Sequence, residues 1–346
     1  MKRVGNLFDI IFSKENLYAA YLDARAGKRS KAACMWFDVR VGAALAWLHQ
    51  QLHAGTYQPR PCKRFYVYEP KKREICAPWF GDIVVQHAIY RVVWPIFDRC
   101  FISTSFACRP GYGTHRASDY AQSALRQCDP GRYTMKLDIR KFFYRIDRGI
   151  LERLLARKIK DKRLLAVMMS FASMPEPVGI PIGNLLSQMY ALIYMNQVDH
   201  FIKRQLKVRL YCRYVDDFIL FNLTREQCET HKGEIEAFLQ RELNLEFSRV
   251  TIQKVRRGVN FVGYRTWRSK RFIRKYSLFK YRRAVRKGRV DSVISILGHA
   301  KRTQSLPYMA QLLDEQNPEL SKVLPVKVRK LLKQATQSNA GRSLKV

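Results

Sequence analysis

Acidic residues are scarce in this sequence. Its 346 residues hold 28 Asp and Glu against 64 Lys and Arg, a formal net charge of +36. So large a surplus repels itself unless a polyanion screens it, which argues against a small-metabolite enzyme with an ordinary mixed surface. Nucleic acid becomes the default partner, and an anionic membrane surface the weaker alternative. Long hydrophobic runs are also missing: none approaches the ~20 residues needed to span a bilayer. The apolar stretch after Met1-Lys2-Arg3 is short and broken by Asp9, unlike a signal peptide. The eight cysteines (Cys34, Cys62, Cys76, Cys100, Cys108, Cys128, Cys212, Cys228) include no C-x-x-C pair, so their spacing suits neither zinc nor a disulfide framework. They read as small buried hydrophobes in a reducing compartment, which points to the cytoplasm. Internal repeats and long linkers do not occur either. What is present is a 47% hydrophobic and 12% aromatic composition, enough for a large core and against simple disorder.

Apolar periodicity predicts helices with Ser13 as a cap and Leu17, Tyr18, Tyr21 and Leu22 on one face, then over Val39–Leu52 with a stop at Gly55. Phe65–Tyr68 reads as a strand, followed by Lys71-Lys72-Arg73 in a turn. Asp82–Trp94 is helical by period with Pro95 as its breaker. Thr114 is expected to cap a helix reaching Cys128. The middle of the chain predicts a strand Tyr133–Leu137 ending at Asp138, helices over Arg148–Lys158 and Asp161–Met174, and a loop Pro175–Gly183. A helix with Leu186, Tyr190, Ile193, Tyr194, Val198 and Phe201 at helical spacing follows. Leu210–Tyr214 and Phe218–Phe221 form two apolar arms around Val215-Asp216-Asp217, a hairpin pattern. Thr224-x-x-Gln227 reads as a capping box. Strands are expected over Val250–Val255, Val259–Trp267 and Arg271–Leu278, and helices after Phe279. From Lys254 onward stand 24 basic and four acidic residues, so this part carries +20 of the +36. The last residues, rich in Gln, Ser, Asn and Gly, read as a frayed tail. The fold class is α+β with a basic helical appendage.

In so basic a chain, carboxylates inside apolar strands stand out. Asp138 ends one strand, and Asp216-Asp217 sits at a hairpin tip. Repelling carboxylates call for a positive partner, and a metal held by hard oxygen ligands would activate a 3′-hydroxyl and stabilise a leaving pyrophosphate. Asp at a strand end is also ordinary turn chemistry, and for either feature alone that reading is favoured.

Six motifs in order change the balance. Tyr214-Val215-Asp216-Asp217 resembles the Y-x-D-D box of reverse transcriptases, and Asp138-Ile139-Arg140-Lys141-Phe142-Phe143 resembles the motif with their first catalytic aspartate. Gly179-Ile180-Pro181-Ile182-Gly183-Asn184-Leu185-Leu186-Ser187-Gln188 stands in the place of the nucleotide-pocket motif. Ser105-Phe106-Ala107-Cys108-Arg109-Pro110-Gly111-Tyr112-Gly113-Thr114-His115 looks like the fingers motif. Asn260-Phe261-Val262-Gly263-Tyr264 looks like the primer grip, and Gly298-His299-Ala300 falls where a thumb motif is expected.

The resemblance implies a polymerase right hand, with interleaved fingers and palm over residues 1–270 and a helical thumb over 271–346. It implies RNA-templated DNA synthesis from deoxynucleoside triphosphates with two Mg²⁺ ions, Mn²⁺ being a substitute. Asp138, Asp216 and Asp217 are then the catalytic carboxylates and, with the Ile139 carbonyl, the metal ligands; Asp217 is the one least tied to direct metal contact. Phe143 would lie under the sugar and exclude a ribose 2′-hydroxyl, or else simply pack beside Phe142.

Most reverse transcriptases carry Gln-Gly and then Ser-Pro in the pocket motif, whereas this chain has Ile182-Gly183 and then Ser187-Gln188. That departure resembles the enzymes of diversity-generating retroelements. Gly183 lets backbone approach the nucleotide, and Ile182 can only pack where Gln could hydrogen-bond, so discrimination should fall; plain loop packing is the alternative. The subfamily implies error-prone copying of a template-repeat RNA at adenines, mutagenised cDNA for a variable target gene, and a basic oligomeric accessory variability determinant as partner. It also implies a bacterial, archaeal or phage gene. Other compact reverse transcriptases, of retron or phage-defence type, and a non-catalytic maturase-like RNA-binding protein are the competing readings.

Arg73, with Lys72, is placed where the family holds the triphosphate, Arg being able to bridge two phosphate oxygens; a solvated turn is the alternative for the lysines. Arg109 is assigned to template or to bracing the fingers, and Lys254 to protonating pyrophosphate. Where the family shows Asp-Arg, this chain has Asp82-Ile83. Template RNA, cDNA and the RNA–DNA duplex are expected on Gly263, Tyr264, Arg274, Lys275, Arg282 and Arg283, within a basic run interleaved with aromatics. A membrane-surface helix competes, but the run lacks a clean apolar face.

Overall fold

The computed structural model describes residues 3–68 and 72–343, with side chains to residue 337. Strands in chain order are β1 (Lys63–Val67), β2 (Arg73–Ala77), β3 (Tyr133–Ile139), β4 (Tyr211–Tyr214), β5 (Asp217–Leu223), β6 (Phe247–Lys254), β7 (Val259–Phe261), β8 (Tyr264–Thr266) and β9 (Arg271–Ile273). They form a β1-β2 hairpin, a four-stranded sheet in the order β4-β5-β3-β6, and a three-stranded sheet β7-β8-β9. Helices precede, separate and follow these strands, with only helices after β9, so the class is α+β as the periodicity indicates.

Contacts divide the chain into two compact units. The first comprises Met1–Cys108, Asp138–Lys207 and His231–Arg249; the second comprises Arg109–Leu137, Val208–Thr230 and Val250–Val346. The chain passes between them after Cys108 and after Lys207, and also inside β3, inside the helix Arg225–Leu243 and inside β6.

The first unit is built on helices. Ser13 caps Lys14–Arg25, its side chain accepting from the Asn16 amide. Asp147 and Asp161 cap Arg148–Ala156 and Lys162–Ser170 in the same way, each leaving a helix start with one fewer unmet amide. The long helices Phe80–Asp98 and Leu185–His200 are buried over most of their length. In the first helix of this group Leu17 and Tyr21 are buried, but Tyr18 and Leu22 are exposed, so the expected apolar face is narrower than the sequence suggests. Pro95 does not end its helix, which runs on to Asp98. Trp94 and Phe97 on either side are buried, and this packing outweighs the one helical bond that a proline removes.

The second unit holds most of the four-stranded sheet, the β7-β8-β9 sheet and a helical region from Lys275 onward. A core of Tyr264, Tyr281, Val285, Val293, Leu297, Met309 and Leu313, among others, ties these helices to β8 and β9. The strand expected to reach Leu278 stops at Ile273. Residues from Lys275 to Arg286 are helical because Tyr281, Ala284 and Val285 recur at helical spacing toward that core. The strand expected over Val259–Trp267 is two strands, turned at Val262-Gly263. Thr224 and Gln227 form the predicted reciprocal cap, at 2.9 and 3.0 Å. The final helix extends through Ser343, within the stretch expected to fray.

The cysteine reading needs correction. Cys62 and Cys76 form a disulfide with a Cα–Cα distance of 5.4 Å. A spacing of 14 residues looks unremarkable in sequence, but the β1-β2 register, which sets Arg64 opposite Cys76, brings the two together. Cys34, Cys128, Cys212 and Cys228 are buried as expected, Cys100 is half-buried and Cys108 is exposed. Among the described residues no helix is long and apolar enough to cross a membrane.

Candidate active site

The second unit carries the aspartate hairpin. β4 and β5 pair antiparallel from Tyr211↔Leu220 to Tyr214↔Asp217, leaving Val215-Asp216 as a two-residue turn. Tyr211, Cys212, Phe218, Ile219 and Leu220 are all buried, and this anchors both arms. The turn needs a positive φ at its first central residue, and Val215 supplies it at +59°. A β-branched residue there costs about 1–3 kcal/mol, so something must hold it. Arg213, fully buried, does so: its Nη1 donates to the Val215 carbonyl at 2.9 Å. Asp217 opens β5 and pairs with Lys136, Nζ to Oδ2, at 2.7 Å.

Asp138 lies on the half-buried face of β3, one face of which (Met135, Leu137, Ile139) is buried. Its carboxylate accepts a hydrogen bond from the Ser248 hydroxyl, which also donates to the Asp138 carbonyl at 3.2 Å. The strand end is braced by Arg140 N–H to the Glu246 carbonyl at 2.9 Å and by Arg145 to the Glu246 carboxylate at 2.7 Å. Hydrogen bonding to Arg145 holds the Glu246 carboxyl below its ordinary range. Ile139 is buried.

Each of these carboxylates, Asp138 in the first unit and Asp216 and Asp217 in the second, is a hard oxygen donor of the kind that suits Mg²⁺ or Mn²⁺. Among the described residues, however, no group of three or more His, Cys, Asp or Glu lies together as a metal cluster.

The pocket-motif residues lie in the first unit. The Cys76 amide donates to the Ile182 carbonyl at 2.7 Å, and the Ile180 amide to the Phe143 carbonyl at 2.9 Å. Gly183 has φ +123°, and a β-carbon there would meet the Cys76 carbonyl at 2.5 Å. Only glycine fits this crossing of loop and hairpin. Ile182 is half-buried, Gln188 is exposed, and Phe143 packs edge-on to Phe142 at 5.5 Å. Arg148 secures the preceding loop through bonds to the carbonyls of Gly179, Glu176 and Pro177 at 3.1, 2.7 and 3.0 Å. Arg73 and Lys72 are exposed, Arg73 at the start of β2 and Lys72 with Nζ 4.5 Å from the Tyr66 ring centre; Lys71 lies outside the described residues. Asp82, left without the family's usual arginine, is a buried structural acceptor for the Tyr57 hydroxyl (2.7 Å) and the Arg60 amide (3.0 Å). Burial pushes its carboxyl up.

The expected nucleic-acid residues of the second unit separate into two groups. Arg274, Lys275, Arg282 and Arg283 are exposed, with the Arg282 guanidinium hydrogen-bonded to the Tyr308 hydroxyl. Arg109 is half-buried and lies 4.1 Å from the Tyr112 ring centre. Lys254 is exposed where β6 ends. Tyr264, by contrast, is fully buried and offers no surface to a nucleic acid. Its hydroxyl donates to the His299 carbonyl at 2.7 Å and lies 3.1 Å from Nδ1 of both His115 and His299. The His299 ring stacks on Tyr264 at 4.2 Å, and a β-carbon on Gly263 would reach its Nε2 at 2.6 Å. The primer-grip-like, fingers-like and thumb-like motifs thus meet at one buried hydroxyl. Burial lowers the pKa of both histidines.

Lys136, Ser248, Arg213 and Arg148 were not singled out from the sequence. Only Lys136 left a trace there, because two residues before Asp138 on a strand means the same face.

A family model described as Reverse transcriptase (RNA-dependent DNA polymerase) matches residues 69–266. Protein YkfC of Escherichia coli (strain K12) is 26% identical over 287 residues, covering 67% of this chain and 74% of YkfC. Group II intron-encoded protein LtrA of Lactococcus lactis subsp. cremoris is 22% identical over 337 residues, covering 75% of this chain and 56% of LtrA. The chain therefore spans little more than half the length of LtrA. Among solved structures, apo telomerase from Candida tropicalis aligns with a TM-score of 0.49 at 12% identity, over 82% of this chain and 59% of that one.

Proposed function

This chain belongs to the reverse transcriptase family, and on that premise we propose that it copies a template-repeat RNA into mutagenised cDNA for a variable target gene, with errors concentrated at template adenines. RNA-directed DNA polymerase activity is the family's chemistry. The finer reading is carried by one observation: Ile182 stands where most family members have Gln, ahead of Gly183 and the Ser187-Gln188 pair. The Ile182 backbone is fixed against the β1-β2 hairpin, so the missing polar side chain is not replaced by a shift of the loop.

In this reading Asp138, Asp216 and the Ile139 carbonyl would hold Mg²⁺, with Asp217 beside them; the bound ions supply charge neutralisation for phosphoryl transfer and activation of the 3′-hydroxyl. Arg73 and Lys72 hold the triphosphate, Phe143 excludes the 2′-hydroxyl, and Gly183 lets the loop backbone approach the nucleotide. Arg274, Lys275, Arg282 and Arg283 grip duplex phosphates without reading sequence. Fingers and palm occupy residues 1–270 and the thumb the remainder. The enzyme works in the cytoplasm with a basic oligomeric accessory protein.

Ile182→Gln tests the proposal. cDNA made by both enzymes on one RNA template is sequenced, and the variant should lose misincorporation at adenine while keeping most of its synthesis rate. Identical adenine error spectra would remove the diversity-generating reading and leave the polymerase.

A second reading has its own support. LtrA is a group II intron-encoded protein, and an Arabidopsis thaliana nuclear intron maturase is 26% identical over 165 residues. A role in copying or assisting an intron RNA is then the alternative. It predicts tighter binding to a structured intron than to an unstructured RNA of equal length.

A further inference from the structure

Lys136 makes two contacts at once. Its Nζ lies 2.7 Å from Asp217 Oδ2 and donates to the Asn260 carbonyl at 2.8 Å. The side chains of Lys136 and Asp217 are 22% and 21% exposed. Asn260 belongs to β7, an edge strand of its sheet, and it precedes the Phe261-Val262-Gly263-Tyr264 turn. All three residues lie in the second unit. One ammonium thus joins the aspartate hairpin to the segment that resembles a primer grip.

We propose that Lys136 is a positioning residue that holds the primer-grip segment in register with the aspartate hairpin, and that Asp217 serves as its anchor rather than as a metal ligand. The inference rests on the polymerase reading and deepens it. An exposed Lys–Asp pair contributes little by itself, because solvent screens it and two long side chains must be ordered. This pair is mostly buried and carries a third member, a backbone carbonyl. Of the three donors of an ammonium, two are committed to different strands. Lys136 comes from β3, whose next residue on the same face is Asp138, so its stem is fixed by the strand that carries the first aspartate. A carboxylate that already neutralises an ammonium at 2.7 Å is also a weaker ligand for a second cation.

Three variants decide the matter: Lys136→Met, Lys136→Arg, and Lys136→Met combined with Asp217→Asn. In single-nucleotide extension on an RNA template, Lys136→Met should lower kcat about tenfold or more and raise KM for primer–template, with KM for the deoxynucleotide within about twofold. Lys136→Arg should recover much of the loss. A fluorescent 2-aminopurine at the primer terminus reads its placement without turnover. Its signal in the binary complex should shift in Lys136→Met and return toward wild type in Lys136→Arg. Mn²⁺ binding, followed by electron paramagnetic resonance without nucleotide, should tighten in Lys136→Met and lose that gain in the double variant. Unchanged primer-terminus fluorescence, or Mn²⁺ binding that ignores the Asp217→Asn change, would overturn the clamp. If wild type extends no primer, the polymerase reading falls instead, and the fluorescence and Mn²⁺ comparisons still decide what Lys136 does.

Discussion

The two compact units hold their functional segments by different means. In the first, the pocket loop is fixed by backbone: the Ile182 and Phe143 carbonyls accept amides from Cys76 and Ile180, and Gly183 passes too close to Cys76 for any β-carbon. In the second, the aspartate hairpin and the Val262-Gly263 turn are fixed by side chains: Arg213 on Val215, Lys136 on Asp217, Tyr264 between His115 and His299. A loop held by its backbone tolerates side-chain exchange but not added bulk. A turn held by side chains fails when one of them is truncated. Exchange of the Ile182 side chain therefore leaves the loop's backbone anchor in place, whereas truncation of Arg213 or Lys136 removes a support of the hairpin.

The largest effect should come from the hairpin tip. Asp216→Ala with Asp217→Ala should lower primer extension by about a thousandfold or more, since charge stabilisation at such a centre amounts to several kcal/mol. Equal activity of the variant would end the enzymatic reading and with it the contrast between the units.

Next comes the backbone-held loop. Gly183→Ala places a β-carbon 2.5 Å from the Cys76 carbonyl at φ +123°. The loop must move, at about 1–3 kcal/mol, and KM for the deoxynucleotide should rise about tenfold, measured by steady-state incorporation. Ile182→Val, in the same loop, should leave KM nearly unchanged. A loss as large as that of Gly183→Ala would show that side chains matter there too.

Arg213→Met removes the donor that holds Val215 in its strained turn. Leaving that carbonyl unmet costs about 1–3 kcal/mol, seen as a lower urea midpoint and reduced kcat. Val215→Gly in the same background should restore part of the stability, because glycine adopts the positive φ without strain.

The smallest effect is a pH dependence. His115 and His299 titrate below the ordinary histidine value, chiefly because they are buried; nearby Arg302, Arg271, Lys301 and Arg274 add to the effect, while Asp119 beside His115 and a backbone hydrogen bond between His299 and Gly263 oppose it. The unfolded chain then binds more protons than the folded one just below about pH 6.5, so stability rises with pH there. It should be fully present above that value and decline as pH falls through it. Thermal melts between pH 5 and 7.5 should show this slope, and Tyr264→Phe with His299→Gln should flatten it.

Much of the fold was legible in the sequence because its signals are local. The hairpin around Val215-Asp216, the caps at Ser13 and Thr224, and the helix from Leu185 follow from alternation, helical period and hydrogen-bonding side chains a few residues apart. Charge too is a property of composition, and +36 specified a polyanion before any contact was known. The motif order then named the chemistry.

Tertiary structure decided the rest, because those choices depend on partners far away along the chain. Pro95 stays inside a helix because Trp94 and Phe97 are buried around it. Cys62 meets Cys76 through the register of a hairpin, which cysteine spacing does not encode. Tyr264 stands in a motif that predicts contact with nucleic acid, yet burial between His115 and His299 makes it a core hydroxyl. Lys136, one of many basic residues in so cationic a chain, is distinguished only by ending between Asp217 and the Asn260 carbonyl. A sequence states which charges exist; which charge is committed, and to what, is settled by the fold that brings distant strands together.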